Sequence, residues 1–331
     1  MMNAKSQTAP APPNLISALS AGFDSVANKI VVILFPVALD LFIWFGPHLR
    51  LKTILAPLLD NLSAAIAGGA TSSANSSLIN LEILQAFSTR ANLMAFLRSY
   101  PVGIPSLMAG SLPIENPQGL PLSFDVTPVW MALLSWLALT VVGLVFGTYY
   151  YAVVAQVVGT GKIQWRQALR DWPWASLQVI GLTLSLAVML LVISLPFSCL
   201  VSVLALGGMF IGQFMIILYI GFLLWIVFPM LLSPQGIFLN RLNFLSAIKK
   251  SVGLTRLTLT RTGLLFLIIL VINEGMNLLW NVPDENSWLI LIGILGHAFI
   301  TSSLLAATFF YYRDADRWVQ NIVKQARLAQ E

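Results

Sequence analysis

The sequence predicts an all-α protein, a polytopic membrane bundle of about six transmembrane helices accompanied by amphipathic interfacial helices. Composition is the first observation: 58% of the 331 residues are hydrophobic and 9% are charged, whereas an ordinary soluble domain is about 25% charged. The second observation is that apolar runs of about 18 residues or more recur along the chain. That is the length a helix needs to cross a hydrocarbon core of roughly 30 Å.

The positions of the apolar runs predict the spans, at about 28–46, 129–157, 174–196, 209–232, 263–281 and 288–312. The region 174–232 is almost continuously apolar, so the charge on either side of it decides how many spans it contains. Both flanks are basic, and basic loops favour the cytoplasmic side, so an even number of spans joins them. We expect two spans, a turn that includes Pro196 and Gly207-Gly208, and a short re-entrant or buried segment at 197–206.

The lysine and arginine residues predict the orientation. Most of them lie in the two basic loops and in the terminal segments, and cytoplasmic segments carry an excess of these residues. We therefore expect both termini in the cytoplasm. The expected parts of the chain are an N-terminal cytoplasmic lead at 1–27, the first transmembrane helix at 28–46, an outer loop at 47–128, a five-helix transmembrane region with two basic cytoplasmic elbow helices at 129–312, and a cytoplasmic tail at 313–331.

The outer loop contains two segments with apolar residues at helical spacing, 51–66 and 81–98. A linker of Gly, Ala and Ser separates them at 68–77. We expect amphipathic helices that lie on the membrane or pack over the bundle. They form either a structural cap or a lid that gates a substrate or binds a partner.

Two short basic segments, 163–170 and 242–250, share one design. Each has an aromatic residue, an alanine three positions later, and then an aliphatic residue and a base. This spacing places apolar groups on one helical face with charge beside it, which is typical of helices at the level of lipid headgroups. The basic residues expected to face the headgroups are Lys162, Arg166, Arg170, Lys249 and Lys250. Membrane lipid is the expected partner, and a membrane protein is a possible one.

The order of these segments resembles a known family. Its features here are a basic elbow that begins at Gly161-Lys162, a long apolar hairpin, a second elbow with the sequence AIKKS at 247–251, another hairpin and the exit YYR at 311–313. Over roughly 130–320 the chain is similar to the six-helix bacterial membrane family that includes the membrane domain of glycerophosphoryl diester phosphodiesterases and related uncharacterised inner-membrane proteins. The resemblance implies this architecture and a bacterial cytoplasmic (inner) membrane location. It implies no catalytic residue, because the phosphodiesterase domain is missing.

Three ionisable residues fall within the expected spans: Asp40, Glu274 and His297. Intramembrane charge is costly, so such residues usually face the interior of a bundle and are candidates for function. Depth along the helices places all three at a similar level, since Glu274 precedes and His297 follows the turn at 282–287. The candidate polar cluster consists of Asp40, Asn273, Glu274, Asn277, His297 and Thr301. Either Glu274 and His297 pair as interhelical glue while Asp40 reaches outward, or the cluster is a proton relay or a site for a polar substrate.

Other patterns carry less chemistry. Gly143 and Gly147 form a GxxxG pattern that predicts close helix packing, within the chain or in a dimer. Cys199 is the one cysteine, which excludes an intrachain disulfide and a multi-cysteine zinc site. No Gly-x-Ser-x-Gly or His-Glu-x-x-His pattern occurs, so we expect no catalytic residue, no metal site and no cofactor. Orientation in the membrane explains the net charge of +5 better than nucleic-acid binding does.

These observations leave three hypotheses about function. The favoured one is a noncatalytic bundle that associates with lipid or forms part of a larger assembly. The second is a small transporter or permease subunit that uses the intramembrane polar cluster. The third is a membrane enzyme that acts on lipid, for which the sequence offers no nucleophile and base that converge.

Overall fold

The computed structural model of the protein describes residues 12–67, 74–205 and 209–328. It is an all-α helical membrane bundle, as the composition predicts. Its helices are α1 Leu15–Asn28, α2 Leu34–Phe45, α3 Lys52–Ala67, α4 Ala74–Arg90, α5 Met108–Ser111, α6 Val129–Thr160, α7 Trp165–Ala205, α8 Met209–Val227, α9 Ser233–Asn240, α10 Phe244–Leu257, α11 Leu259–Trp280 and α12 Ile290–Leu328. Short 3₁₀ helices occur at Ile30–Ile33, Leu93–Leu97 and Phe228–Met230.

Five helices in the described part of the chain are long and apolar enough to cross a membrane: α6, α7, a stretch beginning in α8, α11 and α12. A sixth candidate is the pair formed by Leu15–Asn28 and Ile30–Phe45, which meets the same criteria only when its two parts are taken together. In α6, α7, α8 and α11, between 0% and 11% of the most apolar stretch is buried by the protein, compared with 61% in α12. The apolar faces of α6, α7, α8 and α11 are therefore not covered by protein, and lipid is an environment in which exposed apolar side chains are not penalised.

The first span is not the single helix expected at 28–46. Helix α1 ends at Asn28, the backbone N–H of Lys29 bonds to the Val26 carbonyl, and the chain passes through a 3₁₀ turn before α2 begins. Within the lead expected at 1–27, residues 15–27 are helical, and residues 1–11 lie outside the described part. Asn14 explains the start of α1, because its side chain accepts hydrogen bonds from the N–H groups of Ile16 and Ser17.

The hairpin at 174–232 has two long helices, α7 and α8, as the flanking charge predicts. The expectation of a re-entrant or buried segment at 197–206 is wrong, because α7 continues past Pro196 to Ala205, and Leu200 and Val203 are exposed. Residues 206–208 lie outside the described part. Helix α7 continues past Pro196 because a helix satisfies its own backbone polar groups in an apolar medium, whereas a helix that ended early there would leave carbonyl groups unpaired. Phe197 stacks on Tyr219 of α8 with ring centroids 4.6 Å apart.

The two expected elbow helices differ from one another. Residues 165–170 are the first turns of α7 and not a separate helix, because α7 runs through Pro173 without a break. The second elbow is a separate helix, α10, which is capped by Asn243 through a bond from the Ser246 N–H at 2.9 Å. The tail expected after residue 312 is likewise helical, because α12 continues to Leu328.

The long connection 47–128 contains the two expected helices, α3 and α4, with different boundaries. Helix α4 begins at Ala74, so residues 74–77 are not a linker, while residues 68–73 lie outside the described part. The segment expected to be helical over 81–98 is not one helix. Helix α4 ends at Arg90, and a 3₁₀ helix follows at Leu93–Leu97. Two short strands that the sequence did not reveal, β1 His48–Arg50 and β2 Ser123–Asp125, pair in parallel.

The chain forms two compact units. One comprises Met1–Lys29, Tyr151–Leu270 and Ser303–Glu331. Its core includes Leu232, Leu254, Leu265 and Tyr311, and the Tyr311 hydroxyl lies 2.8 Å from that of Thr262.

The second unit comprises Ile30–Tyr150 and Val271–Ser302. Its core includes Trp44, Met108 and Ile294. Glu285 holds the long connection in place, since it accepts bonds from the Arg90 guanidinium at 2.5 Å and the Ile114 N–H at 2.7 Å.

Candidate functional site

The expected intramembrane cluster is only partly assembled. His297 Nδ1 lies 2.9 Å from the Asn277 side-chain oxygen, so the partner of His297 is Asn277 and not Glu274. Glu274 is exposed and accepts a bond from its neighbour Asn273 at 2.9 Å. The Thr301 hydroxyl donates to the His297 carbonyl within α12 at 2.7 Å. The expected pairing of Glu274 with His297 is therefore wrong, because the His297 imidazole is bonded to Asn277 and the Glu274 side chain is exposed.

Asp40 does not reach outward, because it is fully buried. The Ser106 hydroxyl donates to its Oδ1 at 2.5 Å, and the Met108 N–H donates to the same oxygen at 2.9 Å. The other carboxylate oxygen, Oδ2, has no hydrogen-bond partner among the described residues. Ser106 is itself fixed by the Ala109 N–H, which donates to its hydroxyl oxygen at 3.0 Å.

Arg98 is the charged residue that acts on both buried groups. Its guanidinium donates to the Ser106 carbonyl at 3.0 Å and interacts electrostatically with Asp40 and with His297. Neither His297 Nε2 nor Trp280 Nε1 has a hydrogen-bond partner in the described part of the chain. The buried polar group is thus Asp40 and His297 with their neutral partners. Arg98, which acts on both through its charge, is half-buried, and Glu274 is exposed.

Gly143 and Gly147 lie where the chain of the long connection approaches α6. A Cβ on Gly143 would stand 2.3 Å from the Leu97 carbonyl oxygen, and one on Gly147 would stand 2.6 Å from Gly103 Cα. The two glycines therefore allow α6 to pack closely against the backbone of the long connection within the same chain, and not against a second transmembrane helix. A methyl group at either position would collide with it.

A basic pocket forms at the beginning of α7. Arg166 and Arg170 are one helical turn apart and share a face. Together with Gln167, Asp171 and Arg241 they line a cavity of about 480 Å³, which we call the arginine pocket. Arg166 and Arg170 are exposed, and neither forms an ion pair within the described residues.

Arg241 is fixed in this pocket by two contacts. Its guanidinium donates to Asp171 at 2.8 Å and lies 5.7 Å from the centroid of the Trp174 ring. Its backbone has φ of 50°, in the left-handed region that glycine prefers. The chain therefore holds an arginine at a position where its side chain brings a conformational cost of about 1–3 kcal/mol.

An apolar groove adjoins the arginine pocket. Its cavity of about 260 Å³ shares Gln167, Asp171 and Arg241 with the pocket and continues over Trp174 and Phe238. The combined surface is therefore amphipathic, with guanidinium groups at one part and aromatic and aliphatic groups at the other. Three arginines and one aspartate line the basic part, so it attracts anions.

The other basic residues expected to face headgroups are placed differently. Lys162 and Lys249 are exposed. Lys250 forms an ion pair with Asp316 at 2.7 Å and lies over the Tyr312 ring, 5.9 Å from its centroid. Its charge is therefore engaged within the chain and is not free for a headgroup.

The fold disfavours protonation of His48, a titratable group outside the membrane-spanning helices. Burial lowers the pKa of its imidazole below the usual 6.5, while a bond from Nε2–H to the Ile43 carbonyl at 3.2 Å acts in the other direction. The net effect favours the neutral form, since desolvation penalises the charged ring.

No family model, curated protein or solved structure matches this chain. Among residues 12–67, 74–205 and 209–328 no group of three or more His, Cys, Asp or Glu side chains is placed to hold a metal ion. The arginine pocket and the buried polar group are therefore the two candidate sites in the described residues.

Sequence reasoning missed the two residues that organise these sites. In the sequence Arg241 is one of several bases that follow 174–232, whereas in the structure it joins Asp171 across 70 positions. In the sequence Arg98 is a base at the end of an expected amphipathic helix, whereas in the structure it acts on Asp40 and His297 through its charge. No local pattern marks either residue, because each acquires its role from a contact with a distant segment.

Proposed function

We propose that this protein is a noncatalytic membrane bundle that binds anionic lipid through the arginine pocket. The observation that supports the proposal is the presence of two unpaired, exposed guanidinium groups, Arg166 and Arg170, beside an arginine that Asp171 and Trp174 fix in place. Arginine forms paired, charge-assisted hydrogen bonds with phosphate oxygens. The adjoining apolar groove offers a place for the first part of an acyl chain.

The expected orientation agrees with this role. We propose that the protein lies in a bacterial cytoplasmic membrane with both termini inside, because the basic segments then face the leaflet surface that carries anionic lipid. The resemblance to the membrane domain of glycerophosphoryl diester phosphodiesterases supports the same placement. It also supports a bundle without its own catalytic residues.

The test is thermal unfolding in a neutral detergent with added phosphatidylglycerol or phosphatidylcholine of identical chains. A ligand that binds the folded protein stabilises it by about 2.7 kcal/mol at a hundredfold excess over Kd. We expect phosphatidylglycerol to raise Tm by several degrees and phosphatidylcholine to raise it much less. The double variant Arg166→Gln, Arg170→Gln should lose this selective shift.

The matched control is Arg256→Gln, Arg317→Gln, which removes the same charge from two exposed arginines of the same unit that do not line the pocket. It should keep the full shift. Inorganic phosphate and glycerol phosphate distinguish a lipid site from a site for a free anion. Equal loss in both double variants would mean that net charge, and not the pocket, attracts the lipid, and the proposal would fail.

A second candidate function, a small transporter, is favoured by one observation. Asp40 Oδ2 and His297 Nε2 are buried polar atoms without a hydrogen-bond partner in the described part of the chain, and unsatisfied buried groups call for an explanation. The test is proton flux into vesicles that contain the wild type, Asp40→Asn or Glu274→Gln. Flux that Asp40→Asn abolishes and Glu274→Gln preserves supports transport, and absence of flux in the wild type opposes it.

A further inference from the structure

We propose that the long connection contains a binding pocket for a single-chain anionic amphiphile of the fatty-acid class, with the carboxylate on Arg98. A cavity of about 330 Å³ lies beside Arg98 in the unit formed by Ile30–Tyr150 and Val271–Ser302. This proposal does not depend on the proposed function, because it involves neither the arginine pocket nor any residue of the first unit.

The size of the cavity argues for one acyl chain. Pockets for small ligands range from about 300 to 1,000 Å³, and this one lies at the lower end. It therefore suits a single chain better than a phospholipid with two chains. Small side chains create the space, because Ala91, Ala95 and Ala109 line the wall where larger residues would fill it.

The wall is apolar and its rim is aromatic. Phe87, Phe96 and Tyr100 line the cavity and are exposed. Phe96 is supported from behind by Trp136 of α6, with ring centroids 6.2 Å apart and an interplanar angle of 88°. Exposed aromatic rings around an apolar cavity are more frequent at binding surfaces than elsewhere on a protein, because burying the rings against a ligand releases water.

Arg98 supplies the anion-binding group. Among the described residues that line the cavity it is the one with a charge, and its guanidinium lies 5.6 Å from the centroid of the Tyr100 ring. The bond to the Ser106 carbonyl at 3.0 Å fixes the guanidinium. Asp40 attracts it electrostatically but forms no ion pair with it within 4.0 Å. The guanidinium therefore keeps donors for a carboxylate, which arginine binds with two parallel hydrogen bonds.

The charge and shape together specify the ligand. A neutral chain gains only from the apolar wall, whereas a cationic chain is repelled by Arg98. An anionic chain gains from both, so selectivity for the negative headgroup is the signature of this site. The loss of a charge-assisted contact corresponds to about tenfold or more in affinity.

The experiment uses the full chain in phosphatidylcholine vesicles and a hexadecanoate that carries a photoreactive diazirine. After irradiation, labelled peptides are mapped by mass spectrometry. We expect labelling within residues 87–112, with competition by hexadecanoate and not by hexadecanol or hexadecyltrimethylammonium. Arg98→Gln should reduce this labelling about tenfold, and Arg98→Lys should restore part of it because the charge is kept.

Two further variants separate binding from folding. Lys52→Gln removes one exposed charge of the same unit that does not line the cavity, and it should label as the wild type does. Ala95→Phe fills the cavity and leaves Arg98 in place, so it should abolish labelling. The proposal is overturned if the hexadecanol analogue labels 87–112 equally, if labelling ignores both Arg98→Gln and Ala95→Phe, or if the label falls elsewhere in the chain.

Discussion

Replacement of Gly147 by alanine tests whether the long connection really packs on α6. The Cβ of the new residue would stand 2.6 Å from Gly103 Cα, 3.0 Å from Gly103 N and 3.1 Å from the Val102 carbonyl oxygen. Carbon atoms in contact lie about 3.5–4.0 Å apart, so the backbone at Gly103 must move by about 1 Å. All three atoms belong to backbone, which cannot rotate away as the end of a side chain can.

The magnitude follows from two opposing effects. Alanine stabilises a helix relative to glycine by about 1 kcal/mol, whereas overpacking a tight contact costs about 1–3 kcal/mol. Gly275 in α11 provides the matched control, because a Cβ there meets nothing within 4 Å and leaves only the gain. The helix gain is common to both variants and cancels, so we expect the free energies of unfolding of Gly147→Ala and Gly275→Ala to differ by the overpacking cost, about 1–3 kcal/mol.

The assay is reversible unfolding in mixed micelles with increasing SDS, followed by circular dichroism. Gly275→Ala should unfold at the same or a higher SDS fraction than the wild type, and Gly147→Ala at a lower one. Equal stability of the two variants would refute the close approach of residues 102 and 103 to α6. It would also remove the support for Phe96 and Arg98, which lie in the same segment.

Four further substitutions test individual contacts by the same unfolding assay. Asp40→Ala leaves two buried donors without an acceptor and should lower the free energy of unfolding by about 2–5 kcal/mol. Glu274→Gln alters an exposed group and should change that free energy by less than about 0.5 kcal/mol. A large effect of Glu274→Gln would contradict its exposed position. Glu285→Ala removes the acceptor of Arg90 and should cost about 1–3 kcal/mol, and an unchanged midpoint would show that this clamp contributes nothing. The pKa of His48 is lower in the folded than in the unfolded protein, so folding stability should decrease as the pH falls below about 6.5, by at most about 1.4 kcal/mol per pH unit. The difference in free energy of unfolding between wild type and His48→Gln, measured as a function of pH, gives this contribution. A difference that does not change with pH would contradict the lowered pKa of His48.

The membrane-spanning helices were predictable because their signal is local. Apolar length alone located α6, α8, α11 and α12, and basic flanks predicted that α7 and α8 form a hairpin. Their ends were less predictable, since α7 and α12 continue through charged sequence at residues 165–171 and 313–328. A helix continues as long as its backbone bonds are satisfied and neighbouring side chains support it, and composition does not report where that support ends.

The break before α2 has one marker in the sequence, Pro36, which lacks the N–H that would bond to the Val32 carbonyl. The strand pair has no such marker. The strands β1 and β2 pair across more than 70 positions, from His48 to Ser123. Such contacts depend on where distant segments meet, and their residues carry no alternating pattern long enough to indicate a strand.

The polar cluster shows the same limit at the level of single side chains. Depth along α11 and α12 correctly brought His297 to the level of the polar residues of α11, but it selected Glu274 where Asn277 is the partner. These two residues lie less than one helical turn apart, so depth does not separate them. Residues three apart are also neighbours on the surface of a helix, so the sequence pattern does not choose between them.

The most direct test of the central claim is native mass spectrometry of the protein released from a mixture of phosphatidylglycerol and phosphatidylcholine. If the arginine pocket binds anionic lipid, the wild type and Arg256→Gln, Arg317→Gln should both retain phosphatidylglycerol at a collision energy that strips phosphatidylcholine. Arg166→Gln, Arg170→Gln should lose it. Retention of phosphatidylglycerol by this last variant at the wild-type level would contradict the account.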